Sequence, residues 1–193
     1  MAGSRGQWVG LQCHRSTPVA AVRALEVLVR RTARAELHVS FRLDGETSRI
    51  LITPPGEARV GKELWRHTCF ETFVAVEGRA GYHEFNFAPS GEWAVYQFRG
   101  YRDGDLLSDE SMRPQIAVRA DASRLELDVL VRLDRLSAIH SRAALRLGLS
   151  AVVETREGLS YWALHHPKEK PDFHDAGGFV LVLAPQAGER VLE

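Results

Sequence analysis

Long apolar runs, cysteine pairs and an excess of charge of one sign are all missing from this 193-residue sequence. Lys and Arg number 25, as do Asp and Glu, so the net charge is +0 and no overall field attracts nucleic acid or an anionic membrane. No apolar run approaches the roughly 20 residues that a membrane-spanning helix needs. We therefore expect neither nucleic acid nor a membrane as a partner, and the protein partner stays undetermined.

Cysteine is scarce, since only Cys13 and Cys69 are present. Two cysteines cannot build a disulfide framework, and their separation gives no C-x-x-C pair for zinc or redox chemistry. Cys69 lies among apolar residues, as a small buried side chain does. Met1–Gly10 lacks a basic segment followed by an apolar core, so we expect no signal peptide. The sequence predicts a cytoplasmic protein with free thiols.

Several catalytic motifs are also missing. The sequence contains no G-x-S-x-G elbow, no Walker loop, no G-x-G-x-x-G after a strand and no H-E-x-x-H. These absences argue against several common classes of hydrolase, nucleotide-binding enzyme and zinc protease. We expect no catalytic residues, and hence a protein that is not an enzyme.

Alternation of apolar and polar residues is the dominant pattern that is present, and it predicts an all-β protein. Short strands separated by regular turn signals indicate an antiparallel β-sandwich with at most a short helix or two, forming one domain over residues 1–193. Gly100–Arg113 is expected to be a loop, and Leu133–His140 one helical turn or a short helix. The predicted strands are Glu36–Gly45, Arg49–Ile52, Phe70–Val76, Tyr82–Phe87, Glu92–Phe98, Gln115–Arg119, Arg124–Arg132, Leu145–Glu154, Leu159–Leu164 and Phe179–Leu183.

The segment Val22–Arg30 is ambiguous. Val22, Leu25 and Val29 form one helical stripe, whereas Leu25, Val27 and Val29 share a face with period two. Local propensity favours a helix slightly, while the neighbouring strands favour a strand.

Polar residues on two adjacent predicted strands form the first candidate site. Glu71 lies on one strand, and Tyr82, Glu84 and Asn86 share a face of the next. Carboxylate and amide groups beside aromatic rings suit a sugar, whose C–H groups stack on the rings and whose hydroxyls need hydrogen-bond partners. The alternatives are that Glu71 and Glu84 are solvated positions of a one-sided sheet, or an acid/base pair for glycoside cleavage.

Histidines offer a second chemistry. A metal site could use His67, His165 or His174, although no His-x-x-x-His or cysteine pair supports a closed zinc site. Haem is an alternative cofactor, with Met112 and one of several histidines as ligands. Otherwise the histidines are hydrogen-bonded loop residues. Those considered for haem are His14, His67, His83 and His165.

Three motifs resemble the DOMON-like domain proteins, a bacterial group related to the family 9 carbohydrate-binding modules. They are LWRHTCFE at 64–71, YHEFNFAPSGEWAVY at 82–96, and SYWAL at 160–164 together with PDFH at 171–174. The resemblance extends from about Leu25 to Leu183. It implies a β-sandwich, a strand at Val22–Arg30, and a sugar or a haem as ligand.

The resemblance also implies roles for particular residues. Sugar-binding relatives share a Trp followed by an acidic strand residue, which Trp65 and Glu71 match, and Trp162 is the candidate for a second aromatic wall. Haem-binding relatives use Met and His as axial ligands, for which this chain offers only Met1 and Met112. We predict a non-catalytic module for a small carbohydrate or sugar-containing metabolite. Its expected ligand-binding residues are Trp65, Arg66, Glu71, Tyr82, Glu84, Asn86, Trp162, His165 and His174.

Overall fold

Two antiparallel β-sheets packed face to face form the protein, for which a computed structural model describes residues 7–185. One α-helical turn, α1 (Leu133–Leu136), accompanies the strands. The strands are β1 (Val9–Gly10), β2 (Gln12–Cys13), β3 (Val22–Arg31), β4 (Glu36–Gly45), β5 (Cys69–Val76), β6 (Tyr82–Phe87), β7 (Trp93–Gly100), β8 (Asp103–Leu106), β9 (Gln115–Ala120), β10 (Arg124–Arg132), β11 (Leu145–Thr155), β12 (Gly158–Ala163) and β13 (Leu181–Leu183).

The five-stranded sheet has the order β1-β3-β4-β10-β9. The eight-stranded sheet has the order β2-β12-β11-β5-β6-β7-β8, and β13 pairs with the other half of β11. Antiparallel β5, β6 and β7 are consecutive in the chain and adjacent in the sheet, so they form a three-stranded meander. The predicted all-β sandwich is confirmed.

The core lies between the sheets, because every second side chain of a strand points to the same face and the apolar ones point inward. In β4 every second residue from Leu37 to Leu43 is almost fully buried, and β10 repeats this from Leu125 to Val131. The rings of Phe41 and Phe70, one from each sheet, lie 5.1 Å apart. Burial of these apolar side chains is the main stabilising contribution to the sandwich.

The outer faces of the two sheets differ, and this difference positions the candidate site. The outer face of the five-stranded sheet carries ion pairs such as Arg42 with Glu26 and Arg119 with Asp128. In the eight-stranded sheet, by contrast, all six residues of β6 are buried, whichever face they occupy. Its outer face is therefore covered, partly by the β12–β13 loop (residues 164–180).

Some sequence-based boundaries are wrong. Arg49–Ile52 is not a strand: Thr47–Arg49 form a 3₁₀ turn, and Ile50 makes only an isolated bridge to Thr155. The predicted loop Gly100–Arg113 contains β8, which extends the meander. Val22–Arg31 is a strand, against its slight helix propensity, because pairing with β1 and β4 outweighs local preference.

Residues 7–185 contain no helix that is both long and apolar enough to cross a membrane. The predicted domain ends at residues 1 and 193, and most of the Met1–Gly10 segment, lie outside the described residues.

Candidate ligand-binding cavity

A cavity of about 340 Å³ opens on the outer face of the eight-stranded sheet. Its floor is formed by β11, β5 and β6 at the centre of the sheet, with β12 on one side and β7 and β8 on the other. The β12–β13 loop contributes part of the lining. The cavity is large enough for a small polar molecule.

Aromatic side chains form the two sides of the cavity. Trp65 lies on a 3₁₀ turn (Leu64–Arg66) just before β5, is 39% exposed, and packs edge-on against Tyr96 of β7 with 6.0 Å between ring centroids. On the β12 side, the rings of Tyr161 and Phe173 lie 6.0 Å apart. Phe98 completes the lining beside Tyr96. These rings make the sides of the cavity largely aromatic.

Two carboxyl groups lie on the floor. Glu71 is 2% exposed, and its Oε2 accepts a hydrogen bond of 3.2 Å from Ser150 Oγ, its neighbour on β11. Glu84 is 5% exposed, and its Oε1 accepts a 2.7 Å hydrogen bond from Asn86 Nδ2. In the β5–β6 register Asn86 lies directly opposite Glu71, and Glu84 is two residues before Asn86 on the same face. Glu71 and Glu84 are therefore diagonal neighbours, which in a sheet lie about 7–8 Å apart.

Burial changes the protonation of the carboxyl groups. Burial, together with the nearby charge of Glu84, raises the pKa of Glu71 well above its ordinary value. Burial raises the pKa of Glu84 to about 7, against the opposing effects of the Asn86 hydrogen bond and of Arg102. Near neutral pH the pair therefore retains at least one proton. A floor in this state can both donate and accept hydrogen bonds.

His174 connects the β12–β13 loop to the floor. Its Nδ1 lies 2.8 Å from the Tyr82 hydroxyl, and its Nε2 lies 3.6 Å from Glu84 Oε2. Burial, with a contribution from Arg102, lowers the pKa of His174 to about 4. The ring is consequently neutral near pH 7, and its contact with Glu84 is not an ion pair at that pH.

Asp172 holds the same loop from the other side. Its carboxylate accepts hydrogen bonds from Tyr101 Oη (2.6 Å), Lys168 Nζ (2.6 Å) and an Arg102 Nη (3.0 Å). Burial opposes ionisation, but these hydrogen bonds outweigh it and lower the pKa of Asp172 to about 2. Asp172 Oδ1 also accepts from the His174 backbone N–H (3.2 Å). The network positions the side chains at residues 173 and 174 over the floor.

Four of the predicted site residues line this cavity: Trp65, Glu71, Glu84 and His174. Two more lie directly behind them, since Tyr82 contacts His174 and Asn86 contacts Glu84.

The other three predicted site residues lie elsewhere. Trp162 is 6% exposed in the core between the sheets and donates from Nε1 to Ser160 Oγ (3.1 Å), so the prediction that it forms the second aromatic wall is wrong. Arg66 points to solvent and pairs with Glu63. His165 lines a separate space of about 10 Å³ beside Phe73.

Sequence reasoning missed Tyr96, Phe98, Arg102, Tyr161 and Phe173 as lining residues. Tyr96 and Phe98 gave a signal, because alternation places them on one face of β7. Tyr161 gave no such signal, because the sequence of β12 fits equally well with Tyr161 or with Trp162 facing the core. In the structure Trp162 pairs with Ala151 of β11, which directs Trp162 to the core and Tyr161 to the cavity. Arg102 belongs to a turn and has a φ of 55°, a conformation uncommon outside glycine.

The histidines considered for metal or haem are dispersed. His67 is exposed, with Nδ1 2.8 Å from Glu154 Oε2, whereas His165 and His174 line different cavities. Within residues 7–185, no group of three or more His, Cys, Asp or Glu side chains has the geometry to hold a metal ion. Met112 packs against the core between the sheets.

No family model matches the sequence. No curated protein matches it either.

Solved structures do resemble it. A proposed carbohydrate-binding protein from Bacteroides uniformis superposes with a TM-score of 0.71 at 13% identity, covering 92% of this chain and 86% of the other. A family 9 carbohydrate-binding module from Caldicellulosiruptor kristjanssonii, solved with cellotriose, gives a TM-score of 0.50 at 6% identity, covering 84% of this chain and 74% of the other. The chain thus shares the β-sandwich fold of these proteins.

Proposed function

We propose that this protein is a non-catalytic module that binds a small carbohydrate or a sugar-containing metabolite in the cavity of the eight-stranded sheet. The observation that carries the proposal is the combination of aromatic sides with a floor of two buried carboxyl groups. Pyranose rings present alternating apolar C–H faces and hydroxyl edges, which match aromatic rings and hydrogen-bonding groups respectively.

Each side of the cavity has a role in this proposal. Trp65, half-exposed at the entrance, stacks on one face of the sugar ring, and Tyr161 with Phe173 faces it across the floor. Glu71 and Glu84 hydrogen-bond the hydroxyls. Resemblance to the DOMON-like group, and to structures named for carbohydrate binding, supports the same ligand class.

Both similar structures are named for carbohydrate binding, and this supports a binding role over glycoside cleavage by Glu71 and Glu84.

Titration calorimetry with glucose, cellobiose and cellotriose tests the proposal. We expect binding at millimolar concentrations or better, loss of that binding in Trp65→Ala, and its retention in Trp8→Ala. Trp8 is the matched control because it stacks on Arg42 at the opposite sheet, 4.2 Å from the guanidinium carbon. Absence of binding to every sugar, or unchanged binding in Trp65→Ala, would refute the proposal.

A further inference from the structure

The compensating charge for the two buried carboxyl groups is missing from the cavity floor. Glu71 lines the cavity and is only 2% exposed, yet its Oε1 accepts no hydrogen bond from the described residues. His174, the nearest imidazole to Glu84, is neutral near pH 7. Buried carboxylates need a cationic partner or a proton. In the empty cavity, a proton meets that need.

Arg102 supplies only part of the missing charge. It lines the cavity and lowers the pKa of both carboxyl groups, but by less than burial raises them. Its guanidinium is 3.0 Å from Asp172 Oδ1, so Arg102 is paired at the rim, where Lys168 pairs with both Asp172 and Asp175. The titratable and charged groups that act on or contact the carboxyl pair are Cys69, Tyr82, Tyr96, Arg102 and His174, and Asp172 acts on Tyr82 and His174 beside them.

The sides of the cavity favour a cation independently of the floor. The rings of Trp65, Tyr96, Phe98 and Tyr161 all line it. Aromatic faces attract a cation through their quadrupole, most strongly where water is excluded. Aromatic sides around a pair of buried carboxyl groups form the arrangement that binds an ammonium group.

We propose that the ligand is an amino sugar, whose protonated amine lies between the carboxyl groups of Glu71 and Glu84 while its ring stacks on Trp65. This inference rests on the sugar-binding function proposed above. The ammonium group takes the place of the proton held by the carboxyl pair. Binding therefore releases a proton to solvent, and the ammonium N–H groups donate to Glu71 Oε1 and to Glu84.

Calorimetry of the intact protein near pH 7 compares glucose with its 2-amino, 3-amino and 6-amino deoxy derivatives, and with N-acetylglucosamine as a neutral control. Charged hydrogen bonds are stronger than neutral ones, so at least one amine should bind about tenfold more tightly than glucose. If glucose binds and every amine binds equally or more weakly, the amino-sugar inference fails while the sugar-binding function stands. If no sugar binds, both fail.

Proton release gives a second readout. Each titration is repeated in phosphate and in Tris, two buffers with different ionisation enthalpies. The observed binding enthalpy of the preferred amine should be more exothermic in Tris, the buffer with the larger ionisation enthalpy, which shows that protons are released, whereas that of glucose should be equal in the two buffers. An equal enthalpy for the amine in both buffers would overturn the placement of its ammonium group at the carboxyl pair.

Substitution locates the effect. In Glu71→Gln, and in the Glu71→Gln/Glu84→Gln pair, the ratio of amine to glucose affinity should fall to about one. Glu26→Gln is the matched control, since Glu26 pairs with Arg42 on the opposite sheet, and it should keep the wild-type ratio. If the double variant does not fold, Glu71→Gln alone decides, and an unchanged ratio in that variant would overturn the inference.

Discussion

The Nε2 atom of His174 lies 3.6 Å from Oε2 of Glu84, which joins the β12–β13 loop to the floor of the cavity. The two residues lie 90 positions apart in the sequence. Both are buried, and burial shifts their pKa values in opposite directions and past each other, raising that of Glu84 to about 7 and lowering that of His174 to about 4. Each is thereby kept predominantly uncharged in weakly acidic solution.

The raised pKa of Glu84 predicts that stability falls as the pH rises. The unfolded chain releases this proton near the ordinary value of 4.5, while the native state keeps it to about 7, so the native state binds more protons in this window. Ionisation at higher pH therefore costs the native state up to about 3 kcal/mol. Glu84→Gln should increase the free energy of unfolding above pH 8 relative to wild type.

Urea denaturation at pH 6 and pH 8.5 measures the part of this loss that occurs above pH 6. The wild-type protein should lose stability between the two values, and Glu84→Gln should lose much less, with Glu71 accounting for the remainder. Equal losses in both proteins would contradict the prediction.

Because of His83, stability should fall as the pH is lowered, which is opposite to the effect of Glu84. Burial, with a contribution from His140 at 4.9 Å between ring centroids, lowers the pKa of His83 to about 4, and its Nδ1 has no hydrogen-bond partner among the described residues. The unfolded chain takes up this proton below about 6.5, so stability falls as the pH drops from 6.5 to 4.

His83→Leu should reduce that acid-induced loss by about 2 kcal/mol, after allowance for partial solvation of the ring. Guanidinium denaturation at pH 6.5 and pH 4.5 measures it. His174 shares the same window, so part of the slope should persist in the variant. A variant as acid-sensitive as the wild type would show that His83 is protonated in the folded protein.

Trp65 and Trp162 should respond in opposite ways to truncation. Trp162 fills the core at 6% exposure, so Trp162→Ala should destabilise the protein by about 3–5 kcal/mol. Trp65 is 39% exposed, so Trp65→Ala should change stability by less than about 1 kcal/mol and abolish sugar binding. Thermal denaturation and calorimetry separate the two effects, and Trp162→Phe serves as the control that keeps the core filled.

Asp172 should control the order of the β12–β13 loop. Asp172→Asn removes a carboxylate that accepts from Tyr101, Lys168 and Arg102, leaving those donors with weaker partners. We expect a loss of about 1–3 kcal/mol, faster hydrogen exchange at residues 168–175, and weaker ligand binding.

A surface ion pair supplies the comparison for Asp172. Asp134 pairs with Arg132 in an exposed setting away from the cavity, and such pairs contribute at most about 1 kcal/mol. Asp134→Asn should therefore leave hydrogen exchange in the loop unchanged. Equal effects of the two substitutions would mean that Asp172 does not hold the loop.

Alternation along the chain was sufficient to predict the β-sandwich and the floor of its candidate site. Successive side chains of a strand point to opposite faces, so Glu84 and Asn86 share a face whatever the strand packs against. A hairpin turn pairs β5 with β6, which brings Glu71 beside them. These relationships are local, and they survive every choice of tertiary partner.

Tertiary structure decided the rest. The register of β12 with β11 determines which of its alternate side chains face inward. That register directs Trp162 to the core and Tyr161 to the cavity. The positions of Arg102 and His174 depend on loop packing, and the protonation of Glu71 and Glu84 depends on burial beneath that loop. A strand pattern specifies relative faces, but desolvation and contacts between distant segments arise only when the sheets and loops assemble.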